Sequence, residues 1–442
     1  MNILFVSLGC DKNLVDSEVM LGLIDQKGYR IVDTEEEADV IVVNTCCFIH
    51  DAKEESIQTI LEMAEYKMTG RLKGLIVTGC MAQRYQKEIL EEIPEVDAVL
   101  GTSAYDKIIE AIQKAVEGKV SVAMEELDVL PEVSAKRLVT TGGHYAYLKI
   151  AEGCDKHCTY CIIPKLRGRY RSVPMEKLLK EAEELVEGGV KELILVAQET
   201  TVYGKDLYGE RSLSKLLREL CKIEELRWIR ILYCYPEELD EELIRTIREE
   251  EKVCPYLDLP IQHCNDEILK RMGRRTTRRQ LEEIIEKLRR EIPDIALRTT
   301  LITGFPGETE QQHEELMDFV DRMEFDRLGV FPYSPEEDTP AASMEGQVSD
   351  EVKERRRQEL MELQQEIVFS GSEELIGREL SVMIEGKITE EDVYVGRTYR
   401  DTPNVDGMIF VHSDEAFVSG DFVTAKVTKA TEYDLIGEVT ES

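Results

Sequence analysis

Residues 154–161 read Cys-Asp-Lys-His-Cys-Thr-Tyr-Cys, with three thiols at C-x3-C-x2-C spacing. Three thiolates hold three irons of a cuboidal 4Fe–4S cluster and leave the fourth iron open to an outside ligand. A structural zinc site is the alternative. Zinc takes four closed ligands, and His157 would have to supply the fourth from inside the same loop. Cys10, Cys46 and Cys80 are a second set, 36 and 34 residues apart, each just past a short apolar run at 3–6, 39–43 or 75–77. Such runs read as buried parallel strands. In an open α/β sheet the carboxyl ends share one edge, where ligands bind, so these thiols can converge on a second cluster. Three core cysteines are the plainer reading, because free cysteine is among the most buried residues. The repeated order of strand then cysteine favours the cluster.

The elements that must position these thiols follow from periodicity. Amphipathic stretches near 15–27, 51–68, 83–92 and 103–117 separate the first three strands, giving a parallel-sheet α/β domain over 1–135. Residues 118–140 are polar and irregular and read as a linker. From 140 to 370 six strands (147–150, 192–197, 228–232, 256–260, 296–302, 327–331) alternate with six helices (175–187, 212–223, 237–250, 277–291, 308–323, 350–369). Six β/α units make a partial (β/α)6 barrel, open on one side, with its chemistry at the carboxyl ends of the strands. From 372 to 442 five short strands (380–384, 393–398, 408–411, 422–428, 435–439) read as a small antiparallel, OB-like β-barrel.

The chain of 442 residues carries 55 basic and 90 acidic side chains, a net charge of −35. That discourages non-specific contact with nucleic acid and suits a basic partner. No apolar run reaches the roughly 18 residues a membrane span needs. The start lacks the basic region of a signal peptide. With eleven cysteines, an odd number, the setting read is the reducing cytoplasm, where cysteines bind metal or act in catalysis. Cys221, Cys234, Cys254 and Cys264 have no cluster spacing and read as packing residues. Arg271, Arg274, Arg275, Arg278 and Arg279 form a basic island, most simply a solvated helix face, otherwise an RNA contact. His263 is either a general acid or base or a structural histidine.

The cysteine loop, with Tyr160 before its last cysteine, resembles the signature of the radical S-adenosylmethionine (SAM) superfamily. The following Ile-Ile-Pro-Lys-Leu-Arg-Gly-Arg of 162–169 resembles its methylthiotransferase branch. Residues 7–18 and 397–407 are similar to that family, and the last five strands look like its TRAM domain. The resemblance implies that SAM binds the open iron and is cleaved to a radical by an electron from the cluster. It implies a second, auxiliary 4Fe–4S cluster on Cys10, Cys46 and Cys80. Cys47 stands where relatives often have glycine and competes with Cys46. Candidate SAM contacts are Tyr160, Gln198, Gln262, Arg298 and Gly304, with Arg298 on the SAM carboxylate. Residues 331–342 resemble the family's loop near the active-site mouth, where acids would suit a basic substrate.

Within the family, charge chooses the substrate. Residues 372–442 hold six Lys/Arg against sixteen Asp/Glu, a net of −10. That opposes RNA phosphate and suits a basic protein. The resemblance then implies the branch of the family that adds a methylthio group to the β-carbon of an aspartate in the basic small-subunit ribosomal protein S-twelve. Its partners are an electron donor such as a flavodoxin or ferredoxin and a sulfur donor, with no membrane and with RNA contact secondary. Methylthiolation of adenosine in tRNA is the alternative, and a non-catalytic iron–sulfur ribosome-assembly factor is a third.

Overall fold

The computed structural model describes residues 1–133, 136–389 and 392–440. The sequence boundary at 135 and the last two residues of the 372–442 segment lie outside the described residues. The chain forms two compact units. One comprises Met1–Thr140, Lys149–Val173 and Ser334–Ala342; the other comprises Thr141–Leu148, Pro174–Tyr333 and Ser343–Ser442.

In the first unit β1 (Asn2–Ser7), β2 (Arg30–Val32), β3 (Val40–Thr45), β4 (Gly74–Gly79), β5 (Ala98–Leu100) and β6 (Ser121–Ala123) make a parallel sheet of order β2-β1-β3-β4-β5-β6. Both β3 and β4 are buried at every position, as Val- and Ile-rich strands covered on both faces must be. Their alternation divides the core: Ile41, Val43, Leu75 and Val77 enter one cluster, and Val40, Val42 and Ile76 the other. Helices α1 (Asp11–Gln26), α2 (His50–Thr69), α3 (Cys80–Arg84), α4 (Gln86–Glu92) and α5 (Ile108–Val116) alternate with the strands. The linker read at 118–140 begins as β6, which pairs with β5. Three residues are too few for a periodic signal, and the sheet edge supplies their partner. Helix α6 (Ile163–Arg167) follows the cysteine loop, and Leu166 with Ile162 just before it joins the same core as Ile41. Burying each of these side chains is worth about 1.5–3 kcal/mol.

In the second unit β7 (Tyr145–Lys149), β8 (Glu192–Val196), β9 (Trp228–Ile231), β10 (Val253–Asp258), β11 (Ala296–Thr303) and β12 (Arg327–Pro332) form an open sheet of order β12-β11-β10-β9-β8-β7. The pairings from β8 to β12 are parallel, as six β/α units require. The helix read from 308 starts instead at Glu310. Thr309 and Gln312 form a capping box there, which satisfies the orphan N–H groups of the first turn.

The last five strands, β13 (Glu379–Lys387), β14 (Val393–Thr398), β15 (Ile409–His412), β16 (Phe422–Ala430) and β17 (Leu435–Val439), close into a barrel of order β13-β14-β15-β17-β16. Four pairings are antiparallel and β15–β17 is parallel. A ring of five cannot alternate direction all the way round, so at least one pair must run parallel, and the fully antiparallel reading is corrected accordingly.

The end of β14 and the segment after it meet the open sheet through buried charges. Glu192, fully buried on β8, accepts from Arg230 Nε at 2.7 Å and Arg397 Nη2 at 2.6 Å. Asp406 accepts from Tyr256 Oη at 2.8 Å, and Arg327 pairs with Asp401. Trp228 packs edge-on against Phe422, with ring centroids 4.8 Å apart.

Candidate metal centres

All six candidate cysteines lie in the first unit. Cys46 leaves the end of β3, Cys80 opens α3 directly after β4, and Cys10 stands at the amino end of α1. Ser56 of α2 clamps Cys46 by both backbone groups. The Cys46 N–H donates to its Oγ at 3.0 Å, and the Oγ donates to the Cys46 carbonyl at 2.8 Å. Gly9 (φ +89°) has no side chain because a Cβ there would come within 2.7 Å of Cys46 Cβ. At Gly79 (φ +94°) the obstacle would be Asn44 Oδ1, at 2.3 Å. The room these glycines leave is filled by the end of β3.

Within each trio neighbouring thiols add to the effect of burial. Burial pushes the Cys46 thiol up to about 12, and Cys80 and Cys10 add to the rise while the Phe48 N–H opposes it. Burial raises Cys80 against the pull of Arg167, and Cys10 raises it further. In the other trio burial raises Cys161, followed by Cys158 and then Cys154. Crowded, desolvated thiols that resist ionisation are what a polycationic iron core reverses, since a coordinating thiol is deprotonated outright. Among the described residues no three His, Cys, Asp or Glu side chains close around one ion. Cluster thiols need not do so, because each binds a different iron. Three thiols in each set match the donor count of a cluster that leaves one iron open. Cys47 is wholly buried in the core beside Ile41 and Val43, and burial pushes its thiol up to about 12.

A buried polar network, unread in the sequence, supports the Cys80 side. Arg167, 2% exposed, donates from Nη1 to Asp16 at 2.7 Å and Glu152 at 3.1 Å. Its Nη2 donates to Asn13 Oδ1 and, at 3.5 Å, to Cys80 Sγ. Lys149 pairs with the same Asp16 and, at 2.7 Å, with Glu152. Asn13 Nδ2 donates to the Thr45 carbonyl at 2.9 Å and the Leu8 carbonyl at 3.1 Å. The signal for this network was available: Asn13, Asp16 and Ser17 share one face of α1 at helical spacing, and all are buried.

The cysteine loop of 154–161 is tied by its backbone. Cys154 N–H donates to the Gly168 carbonyl at 3.2 Å, and Lys156 N–H donates to Cys154 Sγ at 3.4 Å. The segment Ser334–Ala342 belongs to this unit, and Ala341 N–H donates to the Thr159 carbonyl at 2.9 Å. Its acids have partners within the chain. Glu336 meets Arg84 at 3.0 Å and Lys53 at 3.5 Å, while Glu337 accepts from Tyr85 Oη at 3.1 Å. Read in the sequence as acids awaiting a basic substrate, Glu336 and Glu337 instead anchor their own loop.

Of the SAM candidates, Tyr160 lies in the first unit and the other four in the second. Gln198 follows β8. Gln262 takes a left-handed backbone (φ +71°), and its N–H and carbonyl bridge to Thr300 and Ile302 of β11. Gly304 (φ +67°) directly follows the same strand, where a Cβ would strike Lys353 Cγ at 2.2 Å. Arg298 sits five residues before the end of β11 and donates to Asp258 at 2.9 Å, with Asp406 at 3.5 Å from its Nε. His263 is fully buried. Burial lowers it to about 3, with His313 and Arg356 adding to the effect, and its Nδ1 accepts from Asn265 N–H. In the basic island Arg278 and Arg279 meet Glu282 and Glu283, Arg274 stacks on Tyr235 at 4.4 Å and Arg271 donates to the Glu345 carbonyl. Arg275 remains exposed.

Comparison with known proteins bears on the class. Residues 148–320 match the radical SAM superfamily, 376–440 the TRAM domain and 2–101 an uncharacterized protein family, UPF0004. The solved structure of the radical SAM methyltransferase TsrM from Kitasatospora setae superposes with a TM-score of 0.55 at 15% identity, over 77% of this chain and 76% of that one. At that identity it speaks to the fold alone. Fold and family define a radical SAM enzyme, a transferase that uses SAM and an iron–sulfur cluster.

Closer relatives narrow the class. The ribosomal protein uS12 methylthiotransferase RimO of Lachnoclostridium phytofermentans is 64% identical over 99% of both chains. Its namesakes from Thermoanaerobacter sp. and Acetivibrio thermocellus are 51% and 52% identical, over 99% and 98% of this chain and 99% and 97% of theirs. The chain belongs to this RimO family of methylthiotransferases.

Proposed function

We propose that the chain adds a methylthio group to the β-carbon of an aspartate in ribosomal protein uS12, using SAM and two 4Fe–4S clusters. The observation that carries the reading is the pair of three-cysteine sets in one compact unit, in a chain so close to proteins named for this reaction. Cys154, Cys158 and Cys161 would hold one cluster, and Cys10, Cys46 and Cys80 the other. When bound, the clusters supply the electron that cleaves SAM to a hydrogen-abstracting radical and an open iron to carry the sulfur.

The chain's own residues do the rest. The thiols give up their protons on loading, so assembly releases acid and is favoured as pH rises. Cys46, Cys80, Cys154 and Cys158 are buried, while Cys161 is half-buried and Cys10 is exposed. Ser56 and the Gly168 carbonyl fix the loops that present Cys46 and Cys154. Tyr160, Gln198, Gln262 and Gly304 are assigned to SAM. Arg298, which already meets Asp258 and Asp406, is assigned to the SAM carboxylate. The acidic 372–442 segment favours a basic ribosomal protein over RNA. An electron donor such as a flavodoxin or ferredoxin and a separate sulfur donor complete the reaction. Its setting is the cytoplasm, in keeping with the eleven cysteines of the chain. Among the described residues no helix is long and apolar enough to cross a membrane.

The test is anaerobic reconstitution with iron and sulfide, then iron analysis and Mössbauer spectroscopy. About eight irons are expected in the wild type and about four in Cys154→Ala/Cys158→Ala/Cys161→Ala. Mass spectrometry of uS12 should then show the methylthio adduct with the wild type alone. About four irons in the wild type and none in the triple variant would remove the second cluster.

A further inference from the structure

We infer that Arg167 is a positioning residue for the second cluster: it donates a hydrogen bond to the Cys80 sulfur and thereby holds that cluster at a less negative potential. The inference rests on the two-cluster reading above. Arg167 Nη2 lies 3.5 Å from Cys80 Sγ and is also bonded to Asn13, which fixes the fork. Its positive charge is already balanced, because Asp16 and Glu152 face both Arg167 and Lys149. Beside the pull of that charge the sulfur receives a directed N–H, which is the part a lysine would lose. Hydrogen bonds to cluster sulfurs are among the factors that set reduction potential, since they draw electron density from the sulfur and favour the reduced state.

The residue also has a telling origin. It ends α6, which begins two residues after Cys161, and its neighbour Gly168 accepts the hydrogen bond from Cys154. One short helix therefore links the ligand loop of the first trio to a ligand sulfur of the second. Leu166, buried in the core with Cys80, anchors that helix against sliding.

The experiment uses the full chain carrying Cys154→Ala/Cys158→Ala/Cys161→Ala, which isolates the second cluster. Its midpoint potential is measured by redox titration followed by electron paramagnetic resonance, with Arg167 and with Arg167→Lys. Lysine keeps the charge beside Asp16 and Glu152 but has no fork to reach Cys80 as well. The expected result is a more negative midpoint at unchanged iron content. An unchanged midpoint and an unchanged spectrum would overturn the inference. A second measurement leaves Arg167 in place: with 15N-arginine, pulsed spectra of the reduced cluster should show a nitrogen coupling, and its absence refutes the hydrogen bond even if the lysine variant fails to load. A triple variant that binds no iron before any change at Arg167 would instead bring down the two-cluster reading itself.

Discussion

Replacing Glu192 by glutamine should destabilise the second unit by about 4 kcal/mol. Glu192 is fully buried and accepts from two arginines at 2.7 and 2.6 Å. Charge-assisted hydrogen bonds are worth about 1.5–3 kcal/mol each, and breaking a buried ion pair costs about 3–5 kcal/mol because the remaining charge is left uncompensated. The loss stays near the middle of that range because each arginine keeps another partner: Arg230 donates to the Tyr399 carbonyl, and Arg397 to Glu385 and the Asp401 carbonyl. The assay is urea unfolding followed by fluorescence. The chain has one tryptophan, and Trp228 lies against Phe422 where the open sheet meets the barrel, so its emission reports on this junction. Burial works against ionisation of Glu192, but Arg397 and Arg230 outweigh it and hold the carboxyl below its ordinary value. The difference between wild type and variant is therefore constant above the ordinary carboxylate range and shrinks as pH falls through the depressed value. Arg397→Gln combined with Glu192→Gln should cost less than the sum of the two. A loss under about 1 kcal/mol at pH 7, or an equal loss at pH 3, would refute the assignment of buried-pair strength to this site.

Other consequences are simpler to read. Cys47→Ala should keep about eight irons on reconstitution while Cys46→Ala keeps about four, because Cys46 is the residue whose backbone Ser56 clamps at the end of β3; the reverse pattern would reassign the ligand. Burial raises the Asp39 carboxyl, but the Asn2 N–H, Arg71 and Lys73 more than compensate and hold it at about 2. Its stabilisation is complete above about pH 4 and lost as pH falls towards 2. Urea midpoints of wild type and Asp39→Asn should therefore converge over that interval and differ above it.

Local pattern carried much of this protein. The runs at 3–6, 39–43 and 75–77 could hardly be anything but buried strands, and each delivers a cysteine to the edge where such sheets present ligands. The six β/α units were equally readable, since a hydrophobic period of 3.6 or 2 survives without knowledge of neighbours. Elements of three residues, such as Ser121–Ala123, carry no period and exist because β5 offers an edge.

The sequence by itself determined the class of chemistry, because three thiols at C-x3-C-x2-C spacing and repeated strand–cysteine junctions are local facts. It also settled the acidic balance that favours a basic partner. Only the tertiary structure decided where the charges are matched. Arg167 reaches Asp16, Glu152 and Cys80 across separations of up to 151 residues, and Glu336 turns to Arg84 rather than to solvent. A buried ion is tolerated only with its partner beside it, and which residue that is depends on how distant segments pack. No periodicity along the chain encodes it.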